Sequence, residues 1–507
     1  MNTEAGASGP RHDQQVDAEE AGPGVGDLSG TALRGAGWLA IRQGVTALLT
    51  FAGIVVLSAL LPPADFALYG YATTVILLAA SVGDLGLGAA LIRGDSGDRH
   101  LKGSFALQLV FWVPVCATIA AVGSIGDGVF GFSLATISAL SAALLLLSLQ
   151  TLPTALLERQ LRFSTLVAIE TAQRLIFVTV AILLAATSGS QSSIPIAILI
   201  AAAAGYPVTL IATGWRWFPQ FVRGEPIFRG FSSDWWQARI ANQVSYAAYP
   251  LLGGLLFAAA DVGYMVWAVA ITSVPALLAP TVARAVFPAI ARASDDEKVR
   301  IYRQMFRGVL LLGVPLVAII FTCAEPLVRY VFGERWLSAV PLLRLESVTT
   351  LIGLALTTVV PLLFLTLSEK KVKWLMVMAA SATWLLVPVL ALIMSYRAVS
   401  VTTIVVTATV LVVVDLSLRR RLDYSLLSEM VPATIGLLAS VLLGFVIVGL
   451  ADDLATTFLV AGAIGLAQLA VNIVLGGGVN LRSVLRLISE GRRGATVESS
   501  PTVPAGS

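Results

Sequence analysis

Fourteen long apolar runs occupy most of this 507-residue sequence and constrain its fold more than any other feature. About 20 apolar residues in an α-helix are enough to cross the hydrocarbon core of a bilayer. Lipid offers the backbone no hydrogen-bonding partner, so each run must satisfy its own N–H and C=O groups as a helix. The predicted spans are 37–61, 66–92, 103–124, 130–152, 165–187, 193–214, 235–258, 262–288, 308–331, 341–367, 374–396, 398–418, 431–450 and 455–476.

The composition supports this interpretation. Hydrophobic residues make up 57% of the chain and charged residues 12%, whereas an average soluble domain contains roughly 25% charged residues. So few charges would not cover the surface of a soluble globule of this size. The sequence therefore predicts an all-α, polytopic membrane protein with 14 transmembrane helices.

The basic residues indicate the direction of the spans. With the N-terminus in the cytoplasm, 25 of the 33 lysines and arginines fall in inside segments, and two, Arg335 and Arg397, fall in outside loops. This asymmetry follows the positive-inside rule. One span too many or too few would exchange the inside and outside loops for the rest of the chain and remove the asymmetry there. We predict a multi-pass protein of the bacterial plasma membrane with both termini in the cytoplasm.

A weak internal repeat divides the spans into two lobes. Asp65 near the start of the second span matches Asp261 of the eighth, and Tyr71 matches Trp267 at the same offset. Six spans are an even number, so both copies enter the membrane from the same side and the pseudo-repeat is parallel. The predicted organisation is a disordered cytoplasmic tail at 1–34, an N-lobe of spans 1–6 at 35–231, a C-lobe of spans 7–12 at 232–421, two extra spans at 422–478 and a cytoplasmic tail at 479–507.

Several function classes lack their sequence signals. The chain has no G-x-x-x-x-G-K-[ST] motif, which excludes a P-loop pump. Its two cysteines, Cys116 and Cys323, lie in apolar runs, and its two histidines are His12 and His100, so no metal site or disulfide framework is predicted. The net charge of +3 does not indicate nucleic-acid binding. We expect no cofactor and no enzymatic activity.

Charged side chains inside the spans are the candidate site, because a charge facing lipid costs roughly 2.5–3.5 kcal/mol or more. The inner half of the predicted spans contains four such arginines and one glutamate, which gives this region a net positive charge. Guanidinium groups suit a phosphate, and neighbouring amides suit sugar hydroxyls. The predicted substrate-binding residues are Arg42, Gln43, Glu170, Arg174, Arg239, Asn242, Gln243 and Arg284.

Other interpretations of these residues stay open at this stage. Glu170 and Arg174 are four apart and could neutralise each other as a helical ion pair. The remaining arginines could extend to the membrane interface instead, as we expect for Arg344. Tyr249 and Trp267 could stack on sugar rings or simply pack. No acidic residue stands out as a site for coupling to H⁺ or Na⁺.

Six short segments stand at the ends of the predicted spans and in the loops between them. They are LPPADFALYG at 61–70, DLGLGAALI at 84–92, ERQLRF at 158–163, FPAIA at 287–291, VFGERW at 331–336 and AVPLL at 339–343. In this order they resemble polysaccharide flippases, the Wzx-like branch of the superfamily that also contains multidrug and toxin exporters and lipid II flippases. The resemblance covers about 35–478.

This resemblance implies a fourteen-helix, two-lobe fold and transport by alternating access. The implied substrate is an undecaprenyl-diphosphate-linked oligosaccharide, which moves from the inner to the outer leaflet for cell-surface polysaccharide biosynthesis. The implied partners are this lipid, membrane lipids and the polysaccharide polymerase machinery, with no nucleic acid.

Three alternatives remain open. A small-molecule or drug exporter of the same fold would favour acidic cavity residues, whereas arginines are in surplus here. A membrane glycan-transferring enzyme would need a sizeable outer loop, and every outer loop is short. A non-transporting scaffold does not explain the charges inside the spans.

Overall fold

The computed structural model describes residues 44–45, 47–83, 98–125, 133–160, 162–188, 192–215, 219–220, 233–277, 279, 282, 295–366 and 368–475. These residues form helices and turns, with no strand among them. The long helices are α1 Ala47–Leu60, α2 Pro63–Gly83, α3 Asp98–Ile125, α4 Leu134–Arg159, α5 Phe163–Ser188, α6 Ser193–Thr213, α7 Ser233–Leu256, α8 Ala259–Ala276, α9 Asp295–Thr322, α10 Val340–Thr366, α11 Glu369–Met394, α12 Ala398–Leu422, α13 Leu426–Ile447 and α14 Leu454–Leu475.

Each predicted span overlaps one of these helices, which confirms the predicted number and type of elements within the described residues. The limits of span 9 were wrong: 308–331 was predicted, and α9 covers Asp295–Thr322. Its first turns are charged, so hydropathy excluded them although they are helical. At its other end, Pro326 has no N–H to donate to the Thr322 carbonyl, and a short irregular helical segment follows.

Most of the helices are apolar enough to cross a membrane. Ten helical segments meet this criterion by length and composition, and one of them, Glu369–Leu422, contains both α11 and α12. Shorter apolar helices cover α1 and most of α2. Among the fourteen, α7 is long but too polar, because residues such as Arg239 and Asn242 occupy its first half. This polarity singles out α7 as a helix with a wet or polar neighbourhood.

The packing of the N-lobe recurs in the C-lobe six helices later. Helix α4 packs against α2, α3 and α6, and α10 packs in the same way against α8, α9 and α12. The α5–α6 pair corresponds to α11–α12. Helices α13 and α14 pack on each other and on α9, outside the repeat. Two six-helix lobes, a parallel pseudo-repeat and an added pair are therefore confirmed, while the exact lobe boundaries stay predictions.

The lobes meet where α2 packs against α7 and α8. This contact is close because glycines lie in it: a Cβ at Gly263 would lie 1.7 Å from the Pro63 carbonyl oxygen. A Cβ at Gly70 would lie 2.3 Å from the Val266 side chain. Small residues at such positions allow helix backbones to approach within a membrane, where packing rather than hydrophobicity drives association.

A polar contact joins the lobes at the end that the charge distribution assigns to the outside, here called the outer end. The Arg335 guanidinium donates to the carbonyl oxygens of Ser58, at 2.8 Å, and Ala59. The Trp336 indole Nε1 donates to the same Ser58 carbonyl at 2.9 Å. We call Ser58, Ala59, Arg335 and Trp336 the outer clasp. Its donors come from the segment before α10, and its acceptors are the last carbonyls of α1.

Aromatic rings surround the outer clasp. Trp336 stacks on Trp267 of α8 with ring centroids 5.0 Å apart, and its edge meets Phe66 of α2 at 5.5 Å. Phe332 contacts Trp267 at 4.8 Å and Phe51 of α1 at 6.5 Å. Edge-to-face and offset aromatic pairs add about 0.5–1.5 kcal/mol each beyond their buried area. The cluster therefore seals the outer end between the lobes.

An ion-pair network holds α9 to α13 at the opposite end. Arg303 Nε lies 2.9 Å from one Glu429 oxygen, and Arg307 Nε lies 2.7 Å from the other. The Glu429 side chain is only 11% exposed. Arg303 also lies over the Tyr424 ring at 5.4 Å. One carboxylate thus bridges two arginines at the start of the extra helix pair.

We predict that Glu429→Ala lowers the free energy of unfolding by about 1–3 kcal/mol. Losing one partner of a buried pair costs about 3–5 kcal/mol, and the partial exposure of Arg303 and Arg307 reduces this loss. Thermal unfolding in detergent measures the effect. Glu325→Ala is the control, because its pair with Arg329 is exposed and worth at most about 1 kcal/mol. Equal losses in the two variants would contradict the prediction.

We predict that Trp336→Ala loosens the outer clasp. A Ser58→Cys probe, in a background without Cys116 and Cys323, should then react at least about tenfold faster with a membrane-impermeant maleimide. Losing 1.4 kcal/mol of closed-state stability is enough for a tenfold change. Trp374→Ala removes an exposed tryptophan of α11 and should leave the rate unchanged. An unaltered rate in Trp336→Ala would show that the clasp does not hold this end closed.

Candidate functional site

A polar stripe runs along α7. Arg239, Asn242 and Tyr246 are spaced three and four residues apart, so they share one helix face, and all three are exposed. Gln243 beside them is half-buried. Tyr246 is 57% exposed and yet lies within electrostatic reach of the deeply buried Glu346. Polar groups within spans face a wet cavity or another helix, so the stripe is an exposed polar face of a helix that also contacts α2 at the lobe interface.

Arg174 lies on α5 of the N-lobe and contacts α1, the helix that precedes α7 by six. Its Nε and Nη2 donate to the Thr50 hydroxyl of α1 at 3.2 and 2.6 Å. Its guanidinium lies 5.6 Å from the centre of the Phe177 ring. Among the described residues, no salt bridge joins Arg174 to half-buried Glu170, so the pairing that their spacing allows is not formed. The neutral Thr50 hydroxyl therefore fixes the position of the Arg174 guanidinium.

Three of the predicted site residues lie outside the described residues. They are Arg42, Gln43 and Arg284. The other five divide between the lobes, with Glu170 and Arg174 on α5 and three residues on α7. Their assignment to a substrate site stays a prediction.

Two aromatic residues that could have stacked on sugars are buried instead. Trp267 is enclosed by the aromatic cluster at the outer end, and the Tyr249 hydroxyl donates to Glu346. Tyr246, one turn away on α7, presents its ring to the exposed stripe. Arg344 is half-buried, its Nε is enclosed and its guanidinium lies 6.0 Å from the Phe445 ring centre. That it extends to the membrane interface stays a prediction.

A buried acid, Glu346, lies in the C-lobe beside two hydroxyl groups, and it was not among the predicted site residues. We call it and these two groups the Glu346 cluster. Glu346 of α10 is 3% exposed. Its Oε1 accepts hydrogen bonds from Tyr249 of α7, at 3.0 Å, and Ser400 of α12, at 2.5 Å. In the sequence, Glu346 lies near the end of predicted span 10 and did not stand out. The available signal was the cost of placing any acid within a span.

An apolar groove of about 430 Å³ lies between α7 and α11. Its walls offer few polar groups, so it does not suit a diphosphate. It also lies on a different face of α7 from the polar stripe. Its lining is Gln237, Ile240, Ala241, Val244, Val377, Ala380, Ser381 and Trp384. No group of three or more His, Cys, Asp or Glu within the described part of the chain could hold a metal ion.

Curated relatives are proteins of bacterial surface-polysaccharide synthesis. The teichuronic acid biosynthesis protein TuaB of Bacillus subtilis (strain 168) is 25% identical over 275 residues, which are 52% of this chain and 57% of that protein. The match thus spans little more than half of TuaB. The lipopolysaccharide biosynthesis protein WzxC of Escherichia coli (strain K12) is 26% identical over 63% of this chain and 67% of its own length. The succinoglycan biosynthesis transport protein ExoT of Rhizobium meliloti (strain 1021) is 25% identical over 66% of this chain and 69% of its own length.

Solved structures share the fold. The lipid II flippase MurJ in an inward closed conformation superposes with a TM-score of 0.68 at 12% identity, covering 88% of this chain and 99% of that one. The multidrug transporter DinF-BH in complex with R6G superposes with a TM-score of 0.52 at 14% identity, covering 79% of this chain and 97% of that one. At these identities the likeness concerns the fold alone. The family model described as "Polysaccharide biosynthesis protein" matches residues 56–341, which is more than half of the chain, and the chain therefore belongs to that family.

Proposed function

We propose that this protein is a flippase for a lipid-linked oligosaccharide. It would move an undecaprenyl-diphosphate-linked glycan from the inner to the outer leaflet by alternating access, for cell-surface polysaccharide biosynthesis. The family match over residues 56–341 carries this proposal. The two-lobe fold shared with a lipid II flippase supports it. No covalent chemistry is required, which is consistent with a non-enzymatic transporter.

The charges on the two lobes suggest where the substrate binds. Arg174 on α5 and Arg239 on α7 offer guanidinium groups, which bind phosphate oxygens through paired N–H donors. Asn242, Gln243 and Tyr246 offer amide and hydroxyl groups for the glycan. The prenyl chain has no polar group and would stay in lipid. We assign Arg42, Gln43, Glu170 and Arg284 to the same site as part of this proposal.

The lobe interface suggests how the substrate is released on one side. In the present structure the outer clasp and its aromatic cluster hold the outer end closed. Alternating access requires the lobes to separate there, which breaks the three side-chain hydrogen bonds to the Ser58 and Ala59 carbonyls and the aromatic cluster. Binding energy from the diphosphate and glycan would offset this cost, because a ligand shifts an equilibrium only through differential affinity for the two states.

The proposal places the chain in the bacterial plasma membrane with both termini in the cytoplasm. In that orientation the basic residues in the first turns of α11, Lys370, Lys371 and Lys373, face the cytoplasm, as the positive-inside rule requires. Lipid-linked glycan would arrive from the synthesis enzymes on that side and leave toward the polymerase machinery on the other.

We predict that deleting the gene blocks glycan export. Lipid-linked glycan should accumulate in the inner leaflet and surface polymer should disappear, because the polar head cannot cross the hydrocarbon core unaided. Leaflet-specific labelling of the lipid-linked glycan measures this result. Polymer loss with the lipid-linked glycan already in the outer leaflet would instead favour a glycan-transferring enzyme.

We also predict that charge reversal in the site abolishes export. Replacing Arg42, Arg174, Arg239 and Arg284 together by Glu should reduce surface glycan at least about a hundredfold, since losing even two charge-assisted bonds costs about 3 kcal/mol. Arg329→Glu, at an exposed position outside the stripe, is the control and should export normally. Membrane levels of each variant are measured in parallel. Full export by the fourfold variant would refute the site model without refuting the flippase.

A further inference from the structure

The apolar groove between α7 and α11 is bounded by a polar contact at each end. At its first end, Lys373 Nζ lies 2.5 Å from the Asp234 carboxylate. At its second end, the Trp384 indole Nε1 donates to the Val244 carbonyl at 2.8 Å. Residue numbers rise on both helices between these contacts, so α7 and α11 run parallel. Ten or eleven residues at 1.5 Å each make the groove about 15 Å long.

These dimensions suit a hydrocarbon chain. One leaflet contributes about 15 Å of hydrocarbon to a bilayer, which equals the length of the groove. A protein helix of that length, about 10 Å across, would need roughly 1,200 Å³, whereas the groove holds about 430 Å³. Gln237 and Ser381 are exposed and mark its open side. The remaining lining is apolar apart from the Trp384 indole N–H, which is already bonded.

The face of α11 that lines the groove begins with two lysines. Lys370, Lys373, Val377 and Trp384 are spaced three, four and seven residues apart, so they share one helix face. Lys373 is held by Asp234, whereas Lys370, one turn earlier, is exposed. Within the described ranges, no acid lies within 4.0 Å of the Lys370 nitrogen. A free cation therefore stands at the mouth of the groove.

The surroundings of the mouth also favour an anion. The first turns of α7 and α11 contain three lysines, Lys370, Lys371 and Lys373, and two acids, Asp234 and Glu369. Both helices begin here, so the positive ends of both helix dipoles add to this excess of positive charge. Basic pockets between membrane-spanning helices on the cytoplasmic side suit anionic lipid headgroups. The Gln237 amide, one turn inside, can bond to the ester oxygens of such a lipid.

We propose that the groove between α7 and α11 binds one anionic phospholipid of the inner leaflet. Its phosphate lies at Lys370, and one acyl chain follows the groove as far as Trp384. The site is separate from the proposed substrate site, and only its assignment to the inner leaflet rests on the proposed function. Because α7 bears the polar stripe and contacts α2, a lipid in the groove stabilises the helix that joins both.

Thermal unfolding of the purified full-length protein in detergent tests the headgroup. Added phosphatidylglycerol should raise the unfolding midpoint at a concentration at least about tenfold lower than phosphatidylcholine, because each lysine near the phosphate adds to the affinity. Lys370→Gln combined with Lys371→Gln should remove this preference. Arg300→Gln combined with Arg420→Gln is the matched control, since it removes two exposed charges from helices that do not line the groove. Equal potency of both lipids, or an equal loss in both double variants, would overturn the proposal.

Quenching of tryptophan fluorescence by lipids with brominated chains tests the groove. Brominated phosphatidylglycerol should quench Trp384 more than brominated phosphatidylcholine does, as measured by the signal that Trp384→Phe removes. Exposed Trp374, outside the groove, should be quenched equally by both lipids. Ser381→Leu fills the groove and should lose the Trp384 difference and the stabilisation by phosphatidylglycerol. A Trp384 signal that does not distinguish the lipids would contradict the inference.

Two further ligands distinguish the occupant from its alternatives. Glycerol phosphate, which has the anion without the chain, should not raise the unfolding midpoint. Stabilisation by it equal to that by phosphatidylglycerol would show a free-phosphate site instead. Undecaprenyl phosphate should not displace phosphatidylglycerol at equal concentration, and displacement would make the groove part of the substrate site. None of these measurements uses glycan export, so their failure leaves the flippase proposal intact.

Discussion

The structure depends on one physical constraint: lipid provides no hydrogen-bonding partner, so every polar group within the spans must find one inside the protein. The backbone meets this requirement through helices. Side chains meet it through small networks, such as the one around Gln150, whose amide bonds to Gln173 and to Thr209 across three helices of the N-lobe. A Cβ at Gly205 would collide with Gln173, so this network also explains a glycine on α6.

The two ends of the lobe interface differ in kind. At the outer end, Trp336 and Arg335 bring flat rings and directional hydrogen bonds onto the last carbonyls of α1. Such a contact is specific and yet limited to a few groups, so it can form and break as a unit. The stripe on α7 is instead polar and exposed, which suits a surface that meets a changing ligand. A closed contact at the outer end and an exposed polar face on α7 fit the alternating access that we propose.

The repeat divides the molecule into two similar lobes, and the features described above lie close to their junction. Because α1–α6 and α7–α12 pack by the same pattern, the molecule consists of two similar bodies joined mainly through α2, α7 and α8. Helix α7 takes part in the stripe, in the Glu346 cluster and in the contact with α2. A change at any of these three places therefore acts on the same helix. The extra pair α13–α14 packs on α9, away from the junction, and the Glu429 ion pairs hold it there.

The number of helices, their positions, the predicted direction and the family follow from the sequence, because hydropathy and loop charge are local properties that persist whatever the helices pack against. The tertiary structure decided which polar residues are exposed and which are buried. Tyr246 and Tyr249 are three residues apart on one polar helix, and only contact with α10 and α12 distinguishes the ring at the surface from the hydroxyl on Glu346. The early start of α9 likewise escaped detection, because its charged turns are stabilised by Glu429 on a distant helix. Burial and pairing depend on neighbours far away in the chain, and a single sequence does not show which distant residues become neighbours.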